Sequence, residues 1–323
     1  MVLGAGALVF WAVLVWAPPL LVGERGLDPK DQVAAESDAR GALISAVGGV
    51  VLIAGLLFTA RTYQSTREGQ VTDRYSAAVD QIGVKETAVR LGGIFALERI
   101  AVDSARDRGT IIEILAAIVR HAHRMSGTDQ PAAEVVAALS VLSRLPGSDE
   151  SRMIDLRSSD LRGLRLPTLR LAGADLTGAL LDGAQIPGAD LRWAVLDRVT
   201  GSKASLIGAD LRHAVATGAK FPGAYLDRTD MRDAQFHGGE FDASSMRGLD
   251  ARKATLESVH LDLAQMQAAD DGTPTRLGGA WLTKSSLTNT NLSGVDLRAA
   301  LGLTPAQRDE AYANASTQWP EMG

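Results

Sequence analysis

The chain has 323 residues, 46% of them hydrophobic, and its 38 acidic and 33 basic residues leave a net charge of −5. That length holds two or three domains. The absence of cysteine excludes disulfides, thiolate metal sites and cysteine nucleophiles.

Residues 2–22 form an uncharged apolar run containing Phe10, Trp11 and Trp16. Residues 42–60 form a second, bracketed by Arg40 and Arg61. Each holds about 20 residues, enough to cross a hydrocarbon core of about 30 Å. Pro18-Pro19 is expected to kink or end the first helix near its far side. A signal peptide is the competing reading of the first run, but the run lacks an early lysine or arginine and a small-x-small site behind it. Residues 23–40 then read as a short polar loop between two spans. Arg61, Arg67 and Arg74 follow the second span, which by the positive-inside rule puts the C-terminal part in the cytoplasm. The expectation is a multi-pass hairpin in a plasma membrane, contacting lipid through residues 2–22 and 42–60.

Residues 62–150 are helical and charged. Val71, Tyr75, Ala78 and Ile82 lie at spacings of four, three and four, an apolar stripe on a helix that continues from the second span. Leu91, Ile94, Phe95, Leu97 and Ile100 mark a second helix. Ile111 to Ala122 marks a third behind a cap at Thr110, and Val135 to Leu145 a fourth behind Asp129-Gln130-Pro131. This segment is either a docking platform or an N-terminal cap for the C-terminal half of the chain.

From Leu156 to Met266 every fifth residue is a centre, and all but Gly201, Ala216 and Ala251 are large and apolar. Two residues before each centre the chain favours alanine, as at Ala174, Ala179, Ala184, Ala189 and Ala194. A period of five fits neither a helix face nor a flat strand. It fits a solenoid that turns a corner in every unit and buries each unit against its neighbours. Glycine two residues after many centres, as at Gly173 and Gly183, fits a corner of positive φ.

The triplets Ala174-Asp175-Leu176, Ala189-Asp190-Leu191 and Ala209-Asp210-Leu211 resemble the units of the pentapeptide-repeat family, over residues 154 to about 303. The resemblance implies a right-handed, four-sided (quadrilateral) β-helix with four pentapeptides per coil, the centre and the residue two before it pointing inward. With the two apolar runs and the segment Val89-Arg90-Leu91-Gly92-Gly93-Ile94-Phe95-Ala96-Leu97-Glu98-Arg99-Ile100-Ala101, the whole chain resembles bacterial membrane-anchored pentapeptide-repeat proteins. The resemblance brings no catalytic residue. If positions four units apart stack, small centres should lie beside large ones, and Gly201 is followed by Phe221 and Ala216 by Phe236.

The period breaks between Met266 and Leu282, which stand one position further apart than three units; the break contains Asp270-Asp271-Gly272-Thr273-Pro274. Counted as three units plus one residue, it reads as a turn or bulge inserted into the coil. Leu282, Leu287, Leu292 and Leu297 resume the pattern. Thr304-Pro305-Ala306-Gln307 then offers an N-cap, a proline at the first helical position and a capping-box glutamine. The domain expectation is two spans in 1–61, helices in 62–150, the β-helix in 151–303, and a capping helix with tail in 304–323.

Four Asp-x-Arg triplets recur at intervals of 20: Asp190 and Arg192, Asp210 and Arg212, Asp230 and Arg232, Asp250 and Arg252. On one face of a four-unit coil they form parallel acidic and basic ladders, either a self-neutralising surface or a strip that docks a partner. Residues 151–303 carry 18 acidic and 18 basic residues, a net of zero, which argues against both a gyrase-directed DNA mimic and a nucleic-acid binder. His121 and His123 face different sides of a helix, and His213, His237 and His260 fall in different columns, so no metal site is expected. No phosphate loop, nucleophile elbow or dinucleotide fingerprint is present, so neither catalysis nor a cofactor is expected. The sequence reads as a membrane-anchored, non-enzymatic scaffold for an unknown protein partner. A homo-oligomeric structural or transport element, hinted at by the small pair Ser45 and Gly49, is the alternative.

Overall fold

A computed structural model of the protein describes residues 29–122, 131–146 and 153–321, with five further positions before residue 21. The expected first span, residues 2–22, therefore lies almost wholly outside the described residues, as does His123. The chain divides into two units, Met1–Asp73 and Arg74–Gly323.

Helix α1 runs unbroken from Pro29 to Ile82, over 54 residues. The polar loop expected to reach Arg40 is instead helical from Pro29 onward. The reason is local: proline is pre-organised for a first helical turn, and the following Ala34, Ala35 and Ala39 are strong helix formers. Residues 33–62 are long and apolar enough to cross a membrane, and none of the apolar stretch is buried. Val50, Leu52, Leu56 and Phe58 are 66–73% exposed. Hydroxyls along it bond back within the helix: Ser45 donates to the Gly41 carbonyl and Thr59 to the Gly55 carbonyl, both at 2.9 Å. One such helix is described; a second is not.

In the second unit, α2 (Thr87–Asp103), α3 (Arg108–His121) and α4 (Ala133–Arg144) pack together. Ile94, Leu97, Ile111, Leu115, Leu139 and Leu142 fill the centre. Gly93 has a steric reason to be glycine, because a Cβ there would lie 2.7 Å from the Ala78 carbonyl oxygen and 2.9 Å from Ile82. Helix α3 starts two residues before the expected cap at Thr110. Asp107 is its N-cap, and the Asp107 carboxylate accepts a hydrogen bond from Ser104 Oγ at 2.6 Å.

These helices meet the first coil of the solenoid through hydrogen bonds that stand in for a missing coil. Inside the tract each bridge residue donates its N–H to the coil before and offers its carbonyl to it, as Asp190 does to Leu169 and from Leu171. Arg170 has no such coil behind it, and its N–H donates to Ser143 Oγ at 2.9 Å. The Asp155 carbonyl accepts from the Arg120 guanidinium, which also lies 3.2 Å from the Asp155 carboxylate. Backbone groups at an open β edge would otherwise be unpaired.

From Asp155 the chain forms parallel bridges at a constant offset of 20, from Asp155↔Asp175 to Ser245↔Gln265. Each centre N–H from Leu156 to Met266 reaches the next coil, as from Leu156 to Asp175 at 2.8 Å, and a tight turn closes most corners, as from Ser159 to Leu156 at 3.3 Å. Of the 23 centres from Leu156 to Met266, all but Leu166 are buried, and so are the residues two before them. Every corner from Ser158 to Leu263 holds a left-handed residue. Gly173 and Gly183 take φ of 69° and 67°, but Trp193, Lys253 and Leu263 adopt the same region at 56°, 61° and 62°. The corners thus override the intrinsic aversion of side-chain-bearing residues to positive φ.

The break after Met266 is six residues inserted into one coil, not one residue added to three units. The bridges jump to Asp250↔Arg276 and Thr255↔Trp281, an offset of 26 in place of 20, then return to 20 at Arg276↔Asp296. Leu277, not Leu282, is the first centre after the break, and it is 1% exposed. The inserted loop is held down by Arg247 on Asp270 at 2.8 Å and Arg228 on Asp271 at 3.0 Å.

At the far end α5 (Pro305–Glu310) has Thr304 as N-cap, Pro305 in its first turn and a complete capping box with Gln307. Gln307 also turns inward, 7% exposed, and donates to the carbonyls of Leu282 and Ser285 at 3.0 and 2.9 Å. The segment after α5 is more than a tail: Tyr312 and Gln318 bridge back to Asn291 and Asp296, extending the coil beyond residue 303.

Candidate functional site

The Asp-x-Arg triplet straddles an inward centre, so both charged side chains emerge on the outer face with one residue between them. That spacing lets the aspartate fold over its own corner. Asp190 Oδ1 accepts the backbone N–H of Arg192 at 3.3 Å, and the guanidinium closes a two-pronged pair, Nε to Oδ1 and Nη2 to Oδ2, each at 2.8 Å. The same pair forms at Asp210 and Arg212 (2.9 and 2.7 Å), Asp230 and Arg232 (2.9 and 2.6 Å), and Asp250 and Arg252 (2.9 and 2.7 Å).

Stacking at an offset of 20 adds a diagonal set. Arg192 lies 3.8 Å from Asp210, Arg212 lies 3.6 Å from Asp230, and Arg232 lies 3.8 Å from Asp250. The eight residues therefore make one continuous alternating strip. Burial alone would push the Asp190 and Asp230 carboxyls up, but hydrogen bonds from Arg192 and Arg232 outweigh it and hold both below their ordinary value. The same triplet recurs outside the ladder at Asp155 and Arg157, Asp160 and Arg162, and Asp296 and Arg298. Hydrogen bonds from Arg157 bring Asp155 to about 2.

A group held down in the folded state stabilises above its unfolded value, near 3.9, and loses that contribution as pH falls through the folded value. For Asp155 that window runs from about 3.8 down to about 2. The expected result is a wild-type thermal midpoint that falls across this range. The deficit of the Asp190→Asn, Asp230→Asn double variant should be largest at neutral pH and shrink as acid removes the wild type's advantage. A deficit that is the same at neutral pH and in strong acid would mean the pairs contribute no linkage.

Beside the strip, Trp193 stacks on His213 with ring centroids 5.3 Å apart and planes 9° apart, and the Arg192 guanidinium lies 5.3 Å from the Trp193 ring. Sequence reasoning missed this cluster, although the interval of 20 between Trp193 and His213 was its signal. The histidines otherwise go separate ways, with His237 lying 3.8 Å from Glu257 and His260 bridged to Glu240 and Ser286. Among the described residues no group of three histidines, aspartates or glutamates could hold a metal. A face of alternating, paired charges can position another macromolecule by complementarity; it offers no nucleophile poised beside a base.

The family model described as Pentapeptide repeats matches eight copies, over residues 169–198, 202–233, 209–248 and 275–300. All of the matched segments lie within the coiled tract. Among solved structures, QnrB1, described as a plasmid-mediated fluoroquinolone resistance protein, is 19% identical, covering 50% of this chain and 75% of its own, at a TM-score of 0.41. HetL from the cyanobacterium Nostoc sp. strain PCC 7120, described as involved in heterocyst differentiation regulation, is 20% identical, covering 55% of this chain and 89% of its own, at a TM-score of 0.18. Rfr23 from the cyanobacterium Cyanothece 51142 is 14% identical, covering 45% and 90%, at 0.20. A comparison with curated proteins finds no match. The strip from Asp190 to Arg232 lies in matched segments. Its last rung, Asp250 and Arg252, falls with the six-residue insertion between the segments 209–248 and 275–300.

Proposed function

We propose that this pentapeptide-repeat protein is a membrane-anchored, non-enzymatic scaffold whose repeat tract presents a rigid cytoplasmic surface to a protein partner. Supporting the anchor is the exposed apolar stretch within residues 33–62, none of which is buried. A soluble fold would leave that much apolar surface in water at a cost of about 25 cal/mol per Å². The finer reading adds a second span at residues 2–22 and a cytoplasmic C-terminal part.

The observation that carries the docking role is the charged strip on a closed, hydrogen-bonded coil. Arg192, Arg212, Arg232 and Arg252 are held in place by their aspartates, so little side-chain entropy is lost when a partner meets them. Surface pairs of this kind add about 1 kcal/mol or less each to stability, which leaves recognition as the stronger reason for a regular array.

The test is co-purification from detergent-solubilised native membranes, comparing wild type with the variant Arg192→Gln, Arg212→Gln, Arg232→Gln, Arg252→Gln. The expected result is that wild type requires detergent for release and retains a partner that the folded variant loses. Release without detergent would sink the anchor. Equal recovery of the same partner by both would move the docking role off the strip and onto helices α2–α4.

A further inference from the structure

The strip ends at the insertion, and its end has its own chemistry. In the column of Asp190, Asp210, Asp230 and Asp250 the next residue is Arg276, followed by Asp296. In the arginine column Gly278 stands where the other coils carry Arg252 and Arg298. The insertion thus brings a coil into register that inverts one column and empties the other.

Arg192, Arg212 and Arg232 each have a carboxylate 3.6–3.8 Å away on the next coil. Arg252 pairs with its own Asp250 alone among the described carboxylates, because Arg276 takes the place of the next one. The corner N–H that an aspartate accepts in the other triplets, at 3.3 Å in both Arg192 and Arg252, belongs here to Gly278, and it makes no hydrogen bond among the described residues. The side chain of Arg276 is exposed and makes no hydrogen bond or ion pair among the described residues. The missing side chain at Gly278 leaves a groove of about 580 Å³, lined by Arg252, Pro274, Arg276, Gly278, Asp296 and Arg298. The formal charges around it are Asp250 and Asp296 against Arg252, Arg276 and Arg298, a surplus of one positive charge on a tract that otherwise sums close to zero.

We propose that this gap receives a carboxylate from an acidic segment of a partner protein, held by the Arg276 guanidinium and the Gly278 N–H, with Arg252 and Arg298 on either side. The neighbouring coils supply the template: a carboxylate satisfies the same corner N–H and a guanidinium at each intact rung. One surplus charge between paired carboxylates suits a carboxylate side chain better than a run of phosphates, which needs a denser field. The site rests on the docking role proposed above and gives it a polarity, with the acidic partner engaged at the end of the strip nearest the insertion.

The test uses the full chain in detergent micelles and a fluorescein-labelled octa-glutamate peptide, read by anisotropy at low salt. The blocking variant is Arg276→Asp with Gly278→Arg, which restores the rung. A Cβ at Gly278 meets only Arg252 at 3.9 Å and Ala299 at 4.0 Å, so the larger residue fits. Wild type is expected to bind saturably, and the variant at least tenfold more weakly, with a thermal midpoint no lower than wild type. Equal affinity in both, or no saturable binding by wild type, overturns the site. Displacement by inorganic phosphate as effective as that by unlabelled octa-glutamate overturns the assignment to an acidic peptide. The two proposals separate cleanly: a peptide that binds wild type but no partner recovered from membranes sinks the scaffold and spares the site. A partner that the restored-rung variant keeps while losing the peptide sinks the site and spares the scaffold.

Discussion

Replacing Phe241 with alanine should cost about 3–5 kcal/mol, the range for a fully buried phenylalanine. Phe241 is 1% exposed and sits at the junction of two columns. Its ring stacks on Phe221 at 5.7 Å and meets Phe236 edge-on at 5.4 Å. Gly239, two residues before it, is bare for the same reason, since a Cβ there would stand 3.0 Å from the Phe241 ring. Coils bond only to their neighbours, so the void cannot be closed by a shift of one side chain without disturbing ladders above and below. Chemical denaturation of the full chain in detergent would measure the loss, and Phe241→Leu, matching Leu261 in the same column, should lose less. A loss below about 1 kcal/mol for the alanine variant would show that the interior is not packed as described.

Gly201→Leu tests the opposite error, too much volume. The residue is a centre and points inward, and a Cβ on it would lie 2.5 Å from two atoms of the Phe221 ring. Overpacking of this kind costs about 1–3 kcal/mol. For a tract of this size that corresponds to about 2–4 °C of thermal midpoint per kcal/mol. Combining the change with Phe221→Ala should recover part of the loss, because the two positions share one space. An unchanged midpoint in the single variant would count against the stacking of Gly201 on Phe221 one coil away.

The charged strip was legible because its signal is periodic. Asp190 to Arg252 repeat at the coil length, and any coil of four such units must align them. The gap at Arg276 and Gly278 was not legible, since reading it requires knowing that six residues are inserted between Gln265 and Arg276. Counted as three units and one residue, the break puts Arg276 out of step with the aspartate column and hides the change of sign. The Trp193–His213 stack was half visible: the interval was there, but the parallel approach of the rings depends on both corners adopting positive φ.

The sequence by itself determined the period, the inward positions, the pairing of Gly201 with Phe221, and the cap at Thr304 and Gln307. These depend on chemistry within one unit or one coil, and a repeated pattern states that chemistry many times over. Tertiary structure decided the rest. Helix α1 runs through the expected loop because nothing between Pro29 and Gly41 stops a helix once it has begun. The length of the insertion, the extra bridges at Tyr312 and Gln318, and the use of Ser143 and Arg120 to complete the first coil all turn on where backbone groups find partners. Those partners lie far along the chain, and a buried or edge N–H is satisfied by whatever arrives nearest, which no local pattern records.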